Sequence, residues 1–130
     1  MMPLLLLAAA SADLDALDQA VARCDRNAAN PAFSGESARR SQFLLDAYRA
    51  QEAIVADRLA LADQRRTQRE TGQVKASEEK QFQLQEAAIE DRQKALNDKR
   101  MLESLREDAM DNMRRYFLTN CPAGGKENAR

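Results

Sequence analysis

The chain has 130 residues and a formal net charge of −1, with 20 Lys plus Arg against 21 Asp plus Glu, so it carries no global field to attract nucleic acid or anionic lipid. It contains no His and no Trp, and without imidazole it lacks the commonest neutral-pH general base and the commonest zinc or copper ligand. Charged residues make up 32% and aromatics 5%, with 4 Gly and 3 Pro; this is the balance of long or coiled helices rather than of a mixed α/β domain, in a chain short enough to need a cross-link or a partner for its core.

Residues 1–12 read Met-Met-Pro-Leu-Leu-Leu-Leu-Ala-Ala-Ala-Ser-Ala. This apolar run closes on Ala10-Ser11-Ala12, the small-x-small form of a signal-peptidase site, and cleavage there leaves Asp13 first. It is shorter than the roughly 20 apolar residues of a membrane span. No Lys or Arg precedes it, and the competing reading buries Leu4 to Leu7 in a first helix. Export would place Cys24 and Cys121 where disulfides persist, in the periplasm or outside the cell.

A first helix is expected over about 14–26, because Leu14, Leu17, Val21 and Cys24 recur at three to four residues and form one stripe. Asn30-Pro31 is expected to break the chain, since a residue before proline is pushed out of the helical region, and Asn27 to Gly35 reads as a connector. A second helix is expected over 36–70, carrying Phe43, Leu44, Leu45, Tyr48, Ile54, Val55, Leu59, Leu61 and Ala62. A third is expected over 77–118. In it Phe82, Ile89, Leu96, Met110 and Phe117 share a seven-residue series that Glu103 interrupts, and Ala88, Ala95, Leu102, Ala109 and Tyr116 share another. Two such series describe a helix packed lengthwise on another helix.

Between the long helices, Asp63 to Gln73 contains no apolar residue. Arg65, Arg66 and Arg69 suit a helix C-terminus, Gly72 suits the left-handed residue beyond it, and Ser77 with Glu78 and Glu79 suits a new N-terminus. These signals predict a turn over 71–76; the alternative is one continuous rod, since a helical Gly costs only about 1 kcal/mol. Folding about Gly72 brings the cysteines opposite each other, their midpoint falling at 72.5. The same reflection sets Leu44 and Leu45 against Met101 and Leu102, Leu61 against Leu84, and Phe33 near Met113. An intramolecular bond closing a loop near 100 residues would stabilise the fold by up to about 4.7 kcal/mol on chain-entropy grounds. An intermolecular bond and a free redox pair are the competing readings. The tail after Cys121, residues 122–130, is expected to be disordered.

Three groups of residues invite a chemical reading. Met110 and Met113, with Met101 nearby, could offer thioethers to Cu(I), against the ordinary use of Met as core filler. Arg65, Arg66 and Arg69 could meet phosphate, but Asp63, Glu70, Glu78 and Glu79 surround them. Carboxylate pairs such as Glu90 with Asp91 read as solvated helix faces.

The expectation is an all-α chain, a short N-terminal helix plus a long antiparallel helical hairpin stapled by a disulfide at its open end. It is expected to be no enzyme and to hold no cofactor. It would be an exported protein working by protein contact, as an envelope adaptor, structural element or holdase-like chaperone. Self-association is expected too, because two amphipathic helices and one short one leave apolar surface uncovered. Contact candidates are Arg65, Arg66 and Arg69 at the hinge and Phe33, Phe43, Tyr48, Tyr116 and Phe117 toward the open end.

Overall fold

The computed structural model describes residues 13–72 and 75–122, and it is all-α. Helix α1 covers 13–22, α2 runs Arg26–Glu70 and α3 runs Ala76–Asn120. The last two are the antiparallel arms of a helical hairpin, and a Cys24–Cys121 disulfide with Cα atoms 5.4 Å apart joins its open end. The expected signal segment, and the expected disordered tail beyond Pro122, lie outside the described residues. The described chain divides into two compact units, one built from the chain up to Arg40 and from Ser104 onward, the other from Ser41–Glu103.

In the first unit, all four residues of the predicted α1 stripe reach the core. Leu17 and Val21 are buried, Leu14 and Cys24 pack beside them, and Ala29, Met110, Phe117 and Cys121 complete the cluster. The predicted helix end and connector are both corrected. α1 stops earlier because Cys24 adopts a left-handed backbone with φ 52°. The Cys24 N–H donates to the Val21 carbonyl and the Asp25 N–H to the Ala20 carbonyl, the paired bonds of a Schellman ending. Asp25 then caps α2 through its carboxylate, which accepts from the Ala28 N–H at 3.3 Å.

α2 therefore begins at Arg26 and passes straight through Pro31, where a break was expected. The physical reason is position and packing. Pro31 sits in the second turn, so its missing N–H forfeits a single bond near an end that already has unpaired groups. Against that loss, Ala29 is fully buried. The Arg26 guanidinium donates to the Cys121 carbonyl at 2.8 Å and also to the Pro122 carbonyl. Tertiary packing outweighs the local preference of the Asn-Pro step.

In the second unit, Ala47, Ile54 and Leu61 on α2 and Phe82, Ile89 and Leu96 on α3 form one buried cluster, with Phe43 packed against it. Both helices contribute at seven-residue intervals, as a lengthwise helix pair requires. The predicted α3 series holds along its whole length: Phe82, Ile89, Leu96, Met110 and Phe117 are all buried, and so is the interrupting Glu103. Of the second predicted series only Ala109 is even half-buried. Leu102 and Tyr116 are exposed, as are Ala88 and Ala95, because a series one residue before the seam sits about 100° around the helix from it. Likewise Leu44, Leu45, Met101, Leu102 and Leu84 stand exposed rather than paired across the hairpin.

The predicted turn is present. Thr71 and Gly72 follow α2, with Gly72 at φ 74°, and its N–H donates to the Arg69 carbonyl. α3 opens one residue earlier than expected. The Lys75 carbonyl accepts from the Glu78 and Glu79 N–H groups, and the Glu78 carboxylate accepts from the Lys75 N–H at 3.4 Å, so the cap is at Lys75 rather than Ser77.

Candidate functional site

The apolar seam of the second unit is narrow, one buried residue per heptad on each helix, and polar side chains flank it. Gln51 and Gln93 exchange two amide hydrogen bonds at 2.7 and 2.9 Å, which fixes the register of α2 against α3 because only one alignment satisfies both. Arg58 pairs with Glu90 at 3.0 Å and Asp57 with Arg92 at 2.5 Å. Arg65 reaches both Glu79 and Glu86 while its guanidinium lies 5.5 Å from the centre of the Phe82 ring.

Of the hinge candidates, Arg65 is thus engaged inside the hairpin. Arg66 lies at the surface, 2.9 Å from Asp63, and Arg69 is exposed in the last turn of α2. Beside them an open groove of about 490 Å³ is lined largely by amides and acids, among them Gln64, Gln68, Glu78 and Gln81. The buried Oε1 of Gln68 has no hydrogen-bond partner among the described residues.

The aromatic candidates divide between the two units instead of forming one group. Phe117 is buried, with the Phe33 ring 5.7 Å away at a 47° tilt and the Arg26 guanidinium 5.7 Å from its centre. Phe43 packs half-buried in the second unit. The side chains left outward are Tyr48 and Tyr116, 65% and 53% exposed. The methionines are also dispersed: Met110 is buried, Met113 packs beside it in the first unit, and Met101 belongs to the second unit and is exposed.

One polar cluster departs from simple surface pairing. Glu36, on the buried face of α2, receives Arg39 through two bonds of 2.7 and 3.0 Å and Arg40 at 3.3 Å, with Arg106 of α3 at 3.7 Å. Burial by itself pushes the Glu36 carboxyl up. The hydrogen bonds and positive charge of Arg39, Arg40 and Arg106 outweigh that and hold it below the usual carboxylate range. Arg40 is in turn raised, chiefly by its bond to Asp111 at 2.9 Å and despite some burial. Composition could not single out Glu36, because only the fold places it on the inward face. The buried Ala29, seven residues earlier, would point to it, but that burial too is visible only in the fold.

Among the described residues no group of three or more His, Cys, Asp or Glu side chains is arranged to hold a metal ion. No described helix is long and apolar enough to cross a membrane. What the surface does offer is apolar area. Leu44, Tyr48, Leu59, Leu84, Met101, Leu105 and Leu118 are each more than half exposed. Such side chains bury favourably against another protein at about 25 cal/mol per Å². A scan against protein-family models finds no match, and searches of the curated proteins and of the solved structures find none either.

Proposed function

We propose that this chain is an exported protein that works by protein contact, as an envelope adaptor, structural element or holdase-like chaperone. The observation that carries the reading is the set of large apolar side chains left outward along both long helices, from Leu44 at 67% to Leu45 at 42% exposed. A helix pair with so narrow a seam has apolar surface to spare, and contact with another protein is the direct way to bury it. Self-association belongs to the same reading. Export is supported by the apolar run ending in Ala10-Ser11-Ala12 and by a disulfide of a kind that persists in oxidising compartments.

Two measurements test this. Photo-crosslinking in cells from Tyr48, Tyr116 and Arg66 should capture discrete protein adducts from the two tyrosine positions and fewer from Arg66; equal, featureless labelling from all three contradicts the reading. Intact mass of the purified protein should correspond to a chain starting at Asp13 that resists thiol alkylation until reduced. A chain retaining residues 1–12 with both thiols open to alkylation overturns the export assignment.

A further inference from the structure

On α2 of the second unit, Leu44, Tyr48, Val55 and Leu59 are 67%, 65%, 43% and 64% exposed. At about 100° per residue these four fall within an arc of about 60°, set roughly 110° around the helix from the buried Ala47, Ile54 and Leu61. They form a second apolar stripe distinct from the hairpin seam. Their spacing reads the same in both directions: four residues, then seven, then four, with leucine at each end and the Gln51–Glu52 peptide at the centre. Ser41 and Ala62, small residues that let helices approach closely, continue the stripe at its two ends.

This symmetry suits a two-fold interface, in which residue i of one copy meets residue j of the other while j meets i, so that each apolar side chain of the stripe finds an apolar partner. We propose that a second copy of this chain lays its α2 antiparallel along this stripe, Leu44 against Leu59 of that copy and Tyr48 against its Val55. At the axis Glu52, on one edge of the stripe, meets its own copy at the exposed rim, the seam's one like-charge pair, and Gln51, on the other edge, meets its own copy. One Gln51 amide hydrogen remains for this contact, since a single bond to Gln93 uses the other. The exposed apolar residues of α3 in this unit, Leu84, Met101 and Leu102, have no such reversal symmetry, so the seam falls on α2. The stripe spans about 22 Å, and an interface of that length lies at the small end of specific contacts, below about 1,200 Å² in total; the dimer should dissociate on dilution. This inference rests on the self-association reading and adds the face and the direction.

Single cysteines introduced into the full chain, with the native disulfide intact and a short bis-maleimide as linker, test it. Circular dichroism confirms that each variant keeps its helicity. Glu52→Cys should link to itself efficiently. Leu44→Cys and Leu59→Cys, about 22 Å from their own copies along the axis, should each fail to self-link yet link strongly when mixed. Self-linking of Leu44→Cys would show a parallel pair, and linking from Leu84→Cys or Met101→Cys with none from Glu52→Cys would put the seam on α3. Either overturns this inference while leaving self-association intact. A wild-type chain that stays monomeric at high concentration overturns both.

Discussion

The two units solve the same problem, covering a helix pair, by different means. The one holding α1 adds a third helix, a disulfide and a buried carboxylate ringed by arginines. The one spanning Ser41–Glu103 has neither α1 nor a cross-link; it relies on Ala47, Ile54, Leu61, Phe82, Ile89 and Leu96, with the Gln51–Gln93 pair setting the register. Apolar surface is left over differently on each. Both units expose large apolar side chains, but the ordered, reversible stripe lies on the unit without a third helix.

Removing the staple and opening a cavity in the second unit should have the two largest effects. A Cys24→Ser, Cys121→Ser double variant is expected to lose about 2–5 kcal/mol in denaturant unfolding. Hydrogen exchange should show the loss concentrated in 14–40 and 104–121; an even loss along the chain would remove the distinction between the units. Ile54→Ala, at a position only 2% exposed, should cost about 2–5 kcal/mol and reduce protection chiefly within 41–103.

Glu36→Gln should cost about 1–3 kcal/mol at neutral pH, by leaving charged partners without their carboxylate. Because the folded carboxyl is held below its ordinary value of 4.5, its contribution is fully present above that pH and is lost as pH falls through the lowered folded value. Thermal melts of wild type and Glu36→Gln should therefore converge on acidification below pH 4.5; a constant gap would contradict the assignment. The smallest effect has the opposite sign. Gly35 lies inside α2 with nothing within 4 Å of where a Cβ would stand, so Gly35→Ala should raise stability by about 0.4–1 kcal/mol in the same unfolding assay.

The hairpin, its turn at Gly72 and its disulfide were legible because they depend on local signals and on symmetry about one point. The α3 series from Phe82 to Phe117 was legible because its large apolar side chains recur every seven residues, which puts them on one face of the helix. Pro31 was misread because the Asn30-Pro31 preference is local, whereas the burial of Ala29 and the disulfide beside it are tertiary. Cys24 ended α1 in a left-handed turn normally given to Gly or Asn, and no side-chain signal marks that. The role of Ala88, Ala95 and Leu102 was misjudged because periodicity identifies a stripe without saying whether it faces a neighbour or solvent. The same ambiguity hid the Leu44–Leu59 stripe among the supposed seam residues.

If the apolar stripe on the second unit is an interface between copies, the mass in solution depends on concentration. Light scattering coupled to size exclusion, run over a wide range of loading concentration on wild type and Tyr48→Glu, tests it most directly. The wild-type mass should rise from monomer toward dimer with concentration, while Tyr48→Glu, of unchanged helicity, should stay monomeric throughout. A wild-type chain strictly monomeric at the highest concentration, or a Tyr48→Glu variant that dimerises equally well, would contradict it.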